Sequence, residues 1–477
     1  MFSTAFFSVT MAVLAGVIIK LLLDANRGQK NITWKELAIG VVVIAILVVP
    51  VTAKIGWEIA RRSNVTFNEY WNGWEKEAEW TKITCTRDGA CVNEYDCDPY
   101  TIMVPYEVCD GEGKNCSTHY RPETRYHSCP YCDEEWTFRI HTTLGDSYTV
   151  ASNVLPDNPQ ANRYRIGKYV PDWLISRAGV GVPDFWQEAK ERIDSGNPGP
   201  VTARKNYENY ILASDTTILK QHSASVEDYL GKNLLPSVRG DIHSFYYANK
   251  VHFVGYIPAD EGEWQERLMY LNAALGTELQ GDLHLVVVQN AEISANPDRY
   301  FLALKAYWQN SKVFGKDAVS KNTVIVAIGT SDGERVEWAR ATTGMPLGNE
   351  FMIVALKENL KNAELSPQVI IGAIKGEFYE EERGDGTKRL KVRSHSHSGV
   401  IPRILWGLDD PSTKFARVSM TANDIDDVGG GFLYLESEIQ PTTNQKIGIV
   451  VATFFLSLMV WVAFSAIGER SRKHHSK

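Results

Sequence analysis

Seven cysteines lie between positions 85 and 132, and the remaining chain has none. They are Cys85, Cys91, Cys97, Cys109, Cys116, Cys129 and Cys132, punctuated by Gly89, Pro99, Gly111, Gly113 and Pro122. Clustering of this kind marks a small module of loops and short strands that is stapled because it cannot build a core. In an oxidising compartment three disulfides and a spare thiol would do this, and spacing does not choose the pairing. Zinc is the other reading. Cys129-Pro-Tyr-Cys132 has the spacing that brings two thiolates to one tetrahedral ion, with Cys97, Cys109, His119 or His127 to complete the set. Both readings stay open here.

Cys-Pro-Tyr-Cys also resembles the glutaredoxin active-site motif, in which a helix opened by the motif lowers the thiol pKa. The residues that follow Cys132, DEEWTFRIHTTLGDSYTV, read as strands, and their carboxylates would raise that pKa. Redox catalysis is therefore set aside. Gly329-Thr-Ser331-Asp-Gly333 matches G-x-S-x-G, but a nucleophile elbow needs a helix leaving it, and here a strand leaves a Ser-Asp-Gly turn. His395-Ser-His397 places two imidazoles on one side of an extended segment, a metal half-site or a solvated polar stretch. Asn423-Asp424-Ile-Asp426-Asp427 precedes three glycines; Asp424 and Asp426 offer hard oxygen ligands for Ca²⁺, without EF-hand spacing. GVGVPD at 179–184 lacks the full dinucleotide-binding glycine pattern. A phosphatase would want a metal cluster or a DxDxT-like nucleophile, and the sequence has neither. Asn64-Val-Thr and Asn115-Cys-Ser are glycosylation sequons.

The elements that must position these residues begin with the membrane. The chain has 477 residues, 44% hydrophobic and 23% charged, with net charge −8. Mild acidity without a long Lys/Arg run argues against nucleic acid as a partner. A mean hydropathy of −0.24 excludes a polytopic transporter, yet three segments are apolar enough to span: 5–23, 37–53 and 447–467. The lipid bilayer is thus the first expected partner. Flanking cations set the orientation: seven (Arg27, Lys30, Lys35, Arg470, Arg472, Lys473, Lys477) lie beside the short loop and tail. Four (Lys54, Arg61, Arg62, Lys446) lie on the other side. The bias places loop 24–36 and the tail 468–477 in the cytoplasm and 54–446 outside.

The expected division is a transmembrane hairpin (1–56), a juxtamembrane aromatic helix (57–80), the Cys-rich module (81–150), an irregular α/β layer (151–250), an ordered α/β domain (251–380), a charged linker and strand segment (381–446) and the last span. Tyr70, Trp71, Trp74 and Trp80 suit either a membrane interface or the first helix of the ectodomain. Helices are expected at 184–194, 202–213, 261–280, 297–309, 349–361 and 366–379. Trp264, Leu268, Leu271 and Leu275 share one helical face. LHLVVVQN (283–290) reads as a strand buried on both faces, and NTVIVAIGT (322–330) and RVEWARATT (335–343) as strands joined by the turn SDGE.

Across about 260–380, Trp308…Phe314-Gly315-Lys316, Lys321-Asn322-Thr323-Val-Ile-Val, a charged turn and Arg335-Val-Glu-Trp, ending near Gly344, resemble the TPM domain. That family is named for thylakoid lumen, photosystem II repair and levamisole-receptor accessory proteins. Thr323 stands where glycine is usual, and ATTGMPLGN replaces the second glycine pair. The resemblance implies a membrane-tethered extracytoplasmic α/β sandwich engaged in assembly or maintenance of membrane complexes; some members are reported as acid phosphatases. The expected fold is thus an α/β (α+β) ectodomain with a small mixed sheet flanked by helices, a Cys-rich module and three transmembrane helices. The expected function is an accessory or scaffold binding protein with a protein partner in a membrane or envelope complex. The alternative is a metal-dependent phosphatase-like hydrolase, with zinc at the cysteines or Ca²⁺ at the acidic loop.

Overall fold

The computed structural model describes residues 2–27, 33–84, 92–109, 116–132, 134–154, 181–214, 223–238, 249–344, 348–382, 388–417 and 433–475. Helix α1 (Phe2–Arg27) is followed by α2 (Trp34–Val65), which opens with a capping box between Thr33 and Glu36 and carries Pro50 inside. Strand β1 (Thr66–Thr84) follows without a loop, since the residue that caps α2, Thr66, is already extended. Next come β2 (Val92–Cys109), β3 (Cys116–Cys132), β4 (Glu134–Thr142), β5 (Ser147–Val154), helix α3 (Asp184–Asp194), β6 (Pro200–Glu208) and α4 (Ser223–Leu230). The second half runs β7 (Val251–Val254), α5 (Glu261–Leu279), β8 (Asp282–Val288), α6 (Pro297–Trp308), β9 (Thr323–Gly329), β10 (Trp338–Thr343), α7 (Glu350–Leu360), β11 (Lys375–Glu382) and β12 (Lys388–His395), closing with α8 (Thr443–His475).

Three helices, α1, α2 and α8, are long and apolar enough to cross a membrane. They pack on one another through Ala12, Ala15, Leu37, Ile44, Val49 and Trp461. The Trp461 ring fills a notch made by two glycines: a Cβ on Gly40 would stand 2.2 Å from it and one on Gly16 3.0 Å. Thr52 and Thr453 hydroxyls meet at 3.0 Å across α2 and α8. Away from these seams Phe6, Leu14, Ile46, Leu47, Phe455 and Met459 are exposed, a surface suited to hydrocarbon and not to water.

The domain has two four-stranded sheets. The first, β5-β4-β1-β6, is antiparallel, with the first half of β1 on β6 and the second half on β4. The second, β10-β9-β8-β7, has β7, β8 and β9 parallel and β10 antiparallel. Both faces of this sheet are buried, which is why β8 and β9 read as unbroken apolar runs. Leu283, Leu285, Val324 and Val326 face α5 and α7, whereas Val286, Val288, Ile325 and Ala327 face α6. The β7–α5–β8 and β8–α6–β9 crossovers thus advance in one direction on opposite faces, so they have opposite hands and one departs from the usual right-handed rule.

Several expected elements change. The helix foreseen over 57–80 ends at Val65, and 66–84 is strand. Its aromatic side chains serve the domain: Trp74 is buried against Tyr270, and Trp71 lies under the Arg417 guanidinium at 4.4 Å. Residues 202–213 form most of β6 and one helical turn, because TARKNYE pairs residue by residue with β1. The helix foreseen at 366–379 is a single turn, Pro367–Ile370, before β11. The loops and short strands foreseen among the cysteines include a long two-stranded ribbon, β2–β3. The helices at 184–194, 261–280, 297–309 and 349–361 form as the apolar spacing requires.

Helix α5 crosses β1 at Gly276, where an added Cβ would meet the Asn72 carbonyl oxygen at 2.0 Å. Gly276→Ala is expected to separate helix and strand and to lower stability by about 1–3 kcal/mol, as overpacking does. Thermal unfolding of the detergent-solubilised protein measures this, with Gly262→Ala, at an open position of the same helix, as the control that leaves stability unchanged or raises it.

Candidate functional site

The three parallel strands begin side by side, and β1 crosses beneath their starts. Lys250 precedes β7, Asp282 opens β8 and Thr323 opens β9. Lys250 and Asp282 form a buried ion pair, and Lys250 also donates to the Tyr70 carbonyl at 3.3 Å. Asn72 of β1 donates to Asp282 at 3.4 Å and accepts from Thr202 at 2.8 Å. Asp317 accepts from Asn68 at 2.6 Å and from the Tyr70 hydroxyl at 2.8 Å. Glu69, almost fully buried, accepts from Arg417 at 2.7 Å and from Ser320 at 3.3 Å. Of these, Asn68, Glu69, Tyr70, Lys250, Asp282, Asp317 and Ser320 line a partly open cavity of about 30 Å³, space for one or two waters.

From Asp282 the polar chain continues inward. His284 Nε2 lies 3.5 Å from Asp282, and His284 Nδ1 lies 3.1 Å from His252 Nε2. The two rings are parallel within 3°, and the Trp308 ring closes over both at 5.2 and 5.3 Å. Burial drives His252 well below the ordinary imidazole value, and the neighbouring His284 and Lys250 charges push the same way. Burial also lowers His284, against the pull of Asp282. Burial alone would raise Asp282, but the Lys250 charge and the His284 hydrogen bond outweigh it and hold the carboxyl below its usual range. Lys250 is lowered by burial despite its partner. With both imidazoles neutral, the chain is satisfied when His252 donates to His284 and His284 to Asp282. Such a line can relay a proton, but its cavity has no room for a phosphate ester.

A second candidate is an open cleft of about 520 Å³ lined by Glu263, Glu266, Arg267, Tyr270, Lys375 and the Asn197–Pro198 turn. Its charges are largely committed: Arg267 donates to Glu263 and to the Gly372 carbonyl, both at 2.8 Å. Behind it Glu75 is buried, held by Nη2 and Nε of Arg192 at 2.6 and 3.0 Å and by the Gly199 amide at 2.8 Å.

Ser331 sits in a strand-to-strand turn as its context required, and its hydroxyl is bonded to Glu337. Asp332 caps that turn, and the Glu334 and Arg335 amides hold its carboxyl below the usual range. Cys97 and Cys109 lie on β2 and Cys116, Cys129 and Cys132 on β3; in the ribbon register Cys109 is opposite Cys116, Cys129 opposite Tyr95, and Cys132 opposite Val92. Cys85, Cys91, Asp424 and Asp426 lie outside the described residues. Among the described residues no group of three or more His, Cys, Asp or Glu side chains is placed to hold a metal. His397 lies against Trp406, ring centres 4.4 Å apart and tilted by 52°, at the foot of the β11–β12 ribbon. Asn64, a sequon residue, donates to the Gln440 carbonyl at 3.0 Å and accepts from Gln445 at 2.8 Å, tying α2 to α8.

Comparison with protein-family models, with curated proteins and with solved structures returns no match.

Sequence reading passed over the Lys250–Asp282–His284–His252 line. The available signal was a histidine inside each of two apolar strands, VHFV and DLHLVVV, where a buried imidazole demands a partner.

Two outcomes follow. Asp282→Asn leaves the Lys250 charge buried without its counter-ion and should lower stability by about 3–5 kcal/mol, whereas Lys250→Met combined with Asp282→Leu should recover most of that. Denaturant unfolding of the two variants reads this. For the imidazoles, the folded pKa lies below the unfolded one, so their contribution is whole above about pH 6.5 and is lost as the pH falls towards the folded value. The melting temperature should therefore drop between about pH 7 and pH 5, and His252→Gln should flatten that drop.

Proposed function

We propose that this chain is a three-span membrane protein whose large domain stands outside the cytoplasm as an accessory or scaffold component of a membrane or envelope complex. The observation that carries the reading is the passage of α2 into β1 without a loop. The same continuous segment is a transmembrane helix and then the central strand against which both halves of the domain pack. A tether to the bilayer alone needs no such stiffness; a part that must hold a partner at a fixed height does.

The joint is reinforced all round. Arg61 pairs with Glu58 at 2.6 Å and with Glu436 at 2.7 Å, Ser214 donates to Glu438 at 3.0 Å, and Lys316 donates to the Ser63 carbonyl at 2.5 Å. Val65, Tyr210, Leu435 and Ile439 form a small core beside these bonds. At the other end of β1 the β2–β3 ribbon offers Met103, Tyr120 and Tyr126, each more than half exposed, as contact residues. Disulfides among the cysteines would stiffen it, and the likeness to TPM domains agrees with an accessory role.

Photo-crosslinking side chains at Met103 and Tyr120, with Leu302 as the control on α6, test the reading in native membranes. A discrete cross-linked membrane protein from the ribbon alone is the expected result. Silence at the ribbon, together with phosphate-ester turnover abolished by Asp424→Ala or Asp426→Ala, would replace it with the hydrolase reading. Impermeant maleimide applied to intact cells after reduction should label the cysteines from outside; labelling only after lysis would invert the topology.

A further inference from the structure

Two tryptophans mark where the bilayer ends. Trp34 lies at the start of α2 with Lys20 of α1 over its ring at 5.0 Å, and Trp57 carries Lys446 of α8 over its ring at 5.9 Å. Tryptophan and lysine side chains of this kind sit at the two water–membrane boundaries. The 24 residues from Trp34 to Trp57 rise about 35 Å as helix, close to the hydrocarbon thickness of about 30 Å. The remaining turns of α2, Glu58 to Val65, rise about 12 Å more, the depth of the headgroup layer and slightly beyond.

What lines that layer is mostly cationic. Arg62 and Lys54 are exposed on α2, Lys54 one turn below Trp57 within reach of the boundary, and Lys446 stands beside Trp57. Lys316, bound to the Ser63 carbonyl, brings the Ser311–Phe314 turn to the same height, with Lys312 and the exposed Val313 on it. Of the carboxylates at this level, Glu58 and Glu436 share Arg61, Glu438 accepts from Ser214, and Glu208, opposite Thr66, accepts from the Tyr210 hydroxyl at 3.2 Å, so the cations outnumber the free carboxylates. Among the described residues Lys54, Arg62 and Lys312 have no ion pair.

We infer that this collar binds the phosphate of anionic phospholipid headgroups in the leaflet on the domain's side. The inference rests on the reading that α1, α2 and α8 span the bilayer. Unpaired ammonium and guanidinium groups at headgroup depth meet the phosphodiester with charge-assisted hydrogen bonds, while Val313 lies where it can enter the boundary. Lysine and arginine near an anionic surface contribute about 1 kcal/mol each, so three of them give a preference that solution methods can read. The occupant is lipid and not free phosphate, because the collar is continuous with the helices that already contact lipid.

The full-length protein in nanodiscs of phosphatidylcholine, with or without phosphatidylglycerol, provides the test. The wild type should melt several degrees higher with phosphatidylglycerol. The variant Lys54→Gln/Arg62→Gln/Lys312→Gln, which spares the structural Lys316 and Lys446, should lose that difference. Lys361→Gln, exposed on the domain away from the helices, should keep it. Equal melting of the wild type in both lipids overturns the inference, as does an equal gain in the triple variant. A gain from millimolar inorganic phosphate in phosphatidylcholine alone overturns it too, in favour of a free-phosphate site. Flotation with liposomes separates the two levels: protein that floats without lipid preference loses only the collar, whereas protein that fails to float loses the membrane reading as well.

Discussion

The Lys250–Asp282 pair joins the two halves of the domain. Each member belongs to the start of a parallel strand, and each also binds β1: Lys250 through the Tyr70 carbonyl, Asp282 through Asn72. An ion pair sealed from water gains little net stability over an apolar pair of the same shape. What it gains is position. Sliding β1 by one residue would carry Asn72 away from Asp282 and put a different side chain in its place, so these contacts favour one register in which the first sheet meets the second.

That register determines how the domain stands on its helices. Because β1 is both the strand under the α/β sheet and the prolongation of α2, the angle between domain and bundle is set by the same contacts that hold the core. Gly276 allows α5 to rest directly on the β1 backbone, and Trp74 fills the space between β1, Tyr270 and the β11–β12 ribbon. Arg61, Asn64 and Lys316 then lock the last turn of α2 to α8 and to the turn after α6. Movement of the domain against the bundle would have to break these bonds together, whereas movement of the two ribbons would not.

The sequence made some of this plain and hid the rest for physical reasons. Helices such as 261–279 carry their apolar stripe every three or four residues and fold as that stripe dictates. The apolar runs at 282–288 and 323–329 can only be strands covered on both sides. By contrast, TFNEYWNGWEKEAEWTKIT carries charges at a spacing that suits a helix, and only its place between β4 and β6 makes it a strand. Glu69, Asn72 and Glu75 look like solvent-facing positions in that segment, yet all are buried. Their partners, Arg417, Asp282 and Arg192, lie more than a hundred residues away. No local pattern announces a polar group whose partner is so distant. The same holds for His252 and His284, which become a pair only when β7 and β8 align.

The two ribbons treat their exposed surface in opposite ways. In β11–β12 an acidic strand faces a basic one: Glu377 stands opposite Arg393, and Lys391 pairs with Glu381 at 2.5 Å. Opposed charges of this kind satisfy one another and discourage a further strand from pairing. In β2–β3 the face made by Thr101, Met103, Pro105, Tyr120, Pro122 and Thr124 has Glu107 as its one charge among the described residues, while the reverse face holds Arg121, Glu123, Arg125 and His119. A two-stranded ribbon is marginal in water on its own, and one with a largely uncharged aromatic and methionine face gains from being covered. The chain therefore protects one ribbon with its own charges and leaves the other, at the end of β1 remote from the helices, suited to meeting something else. A stiff passage from α2 through β1 to a ribbon exposed among the described residues supports the proposed role, in which the domain presents a contact at a set distance from the membrane.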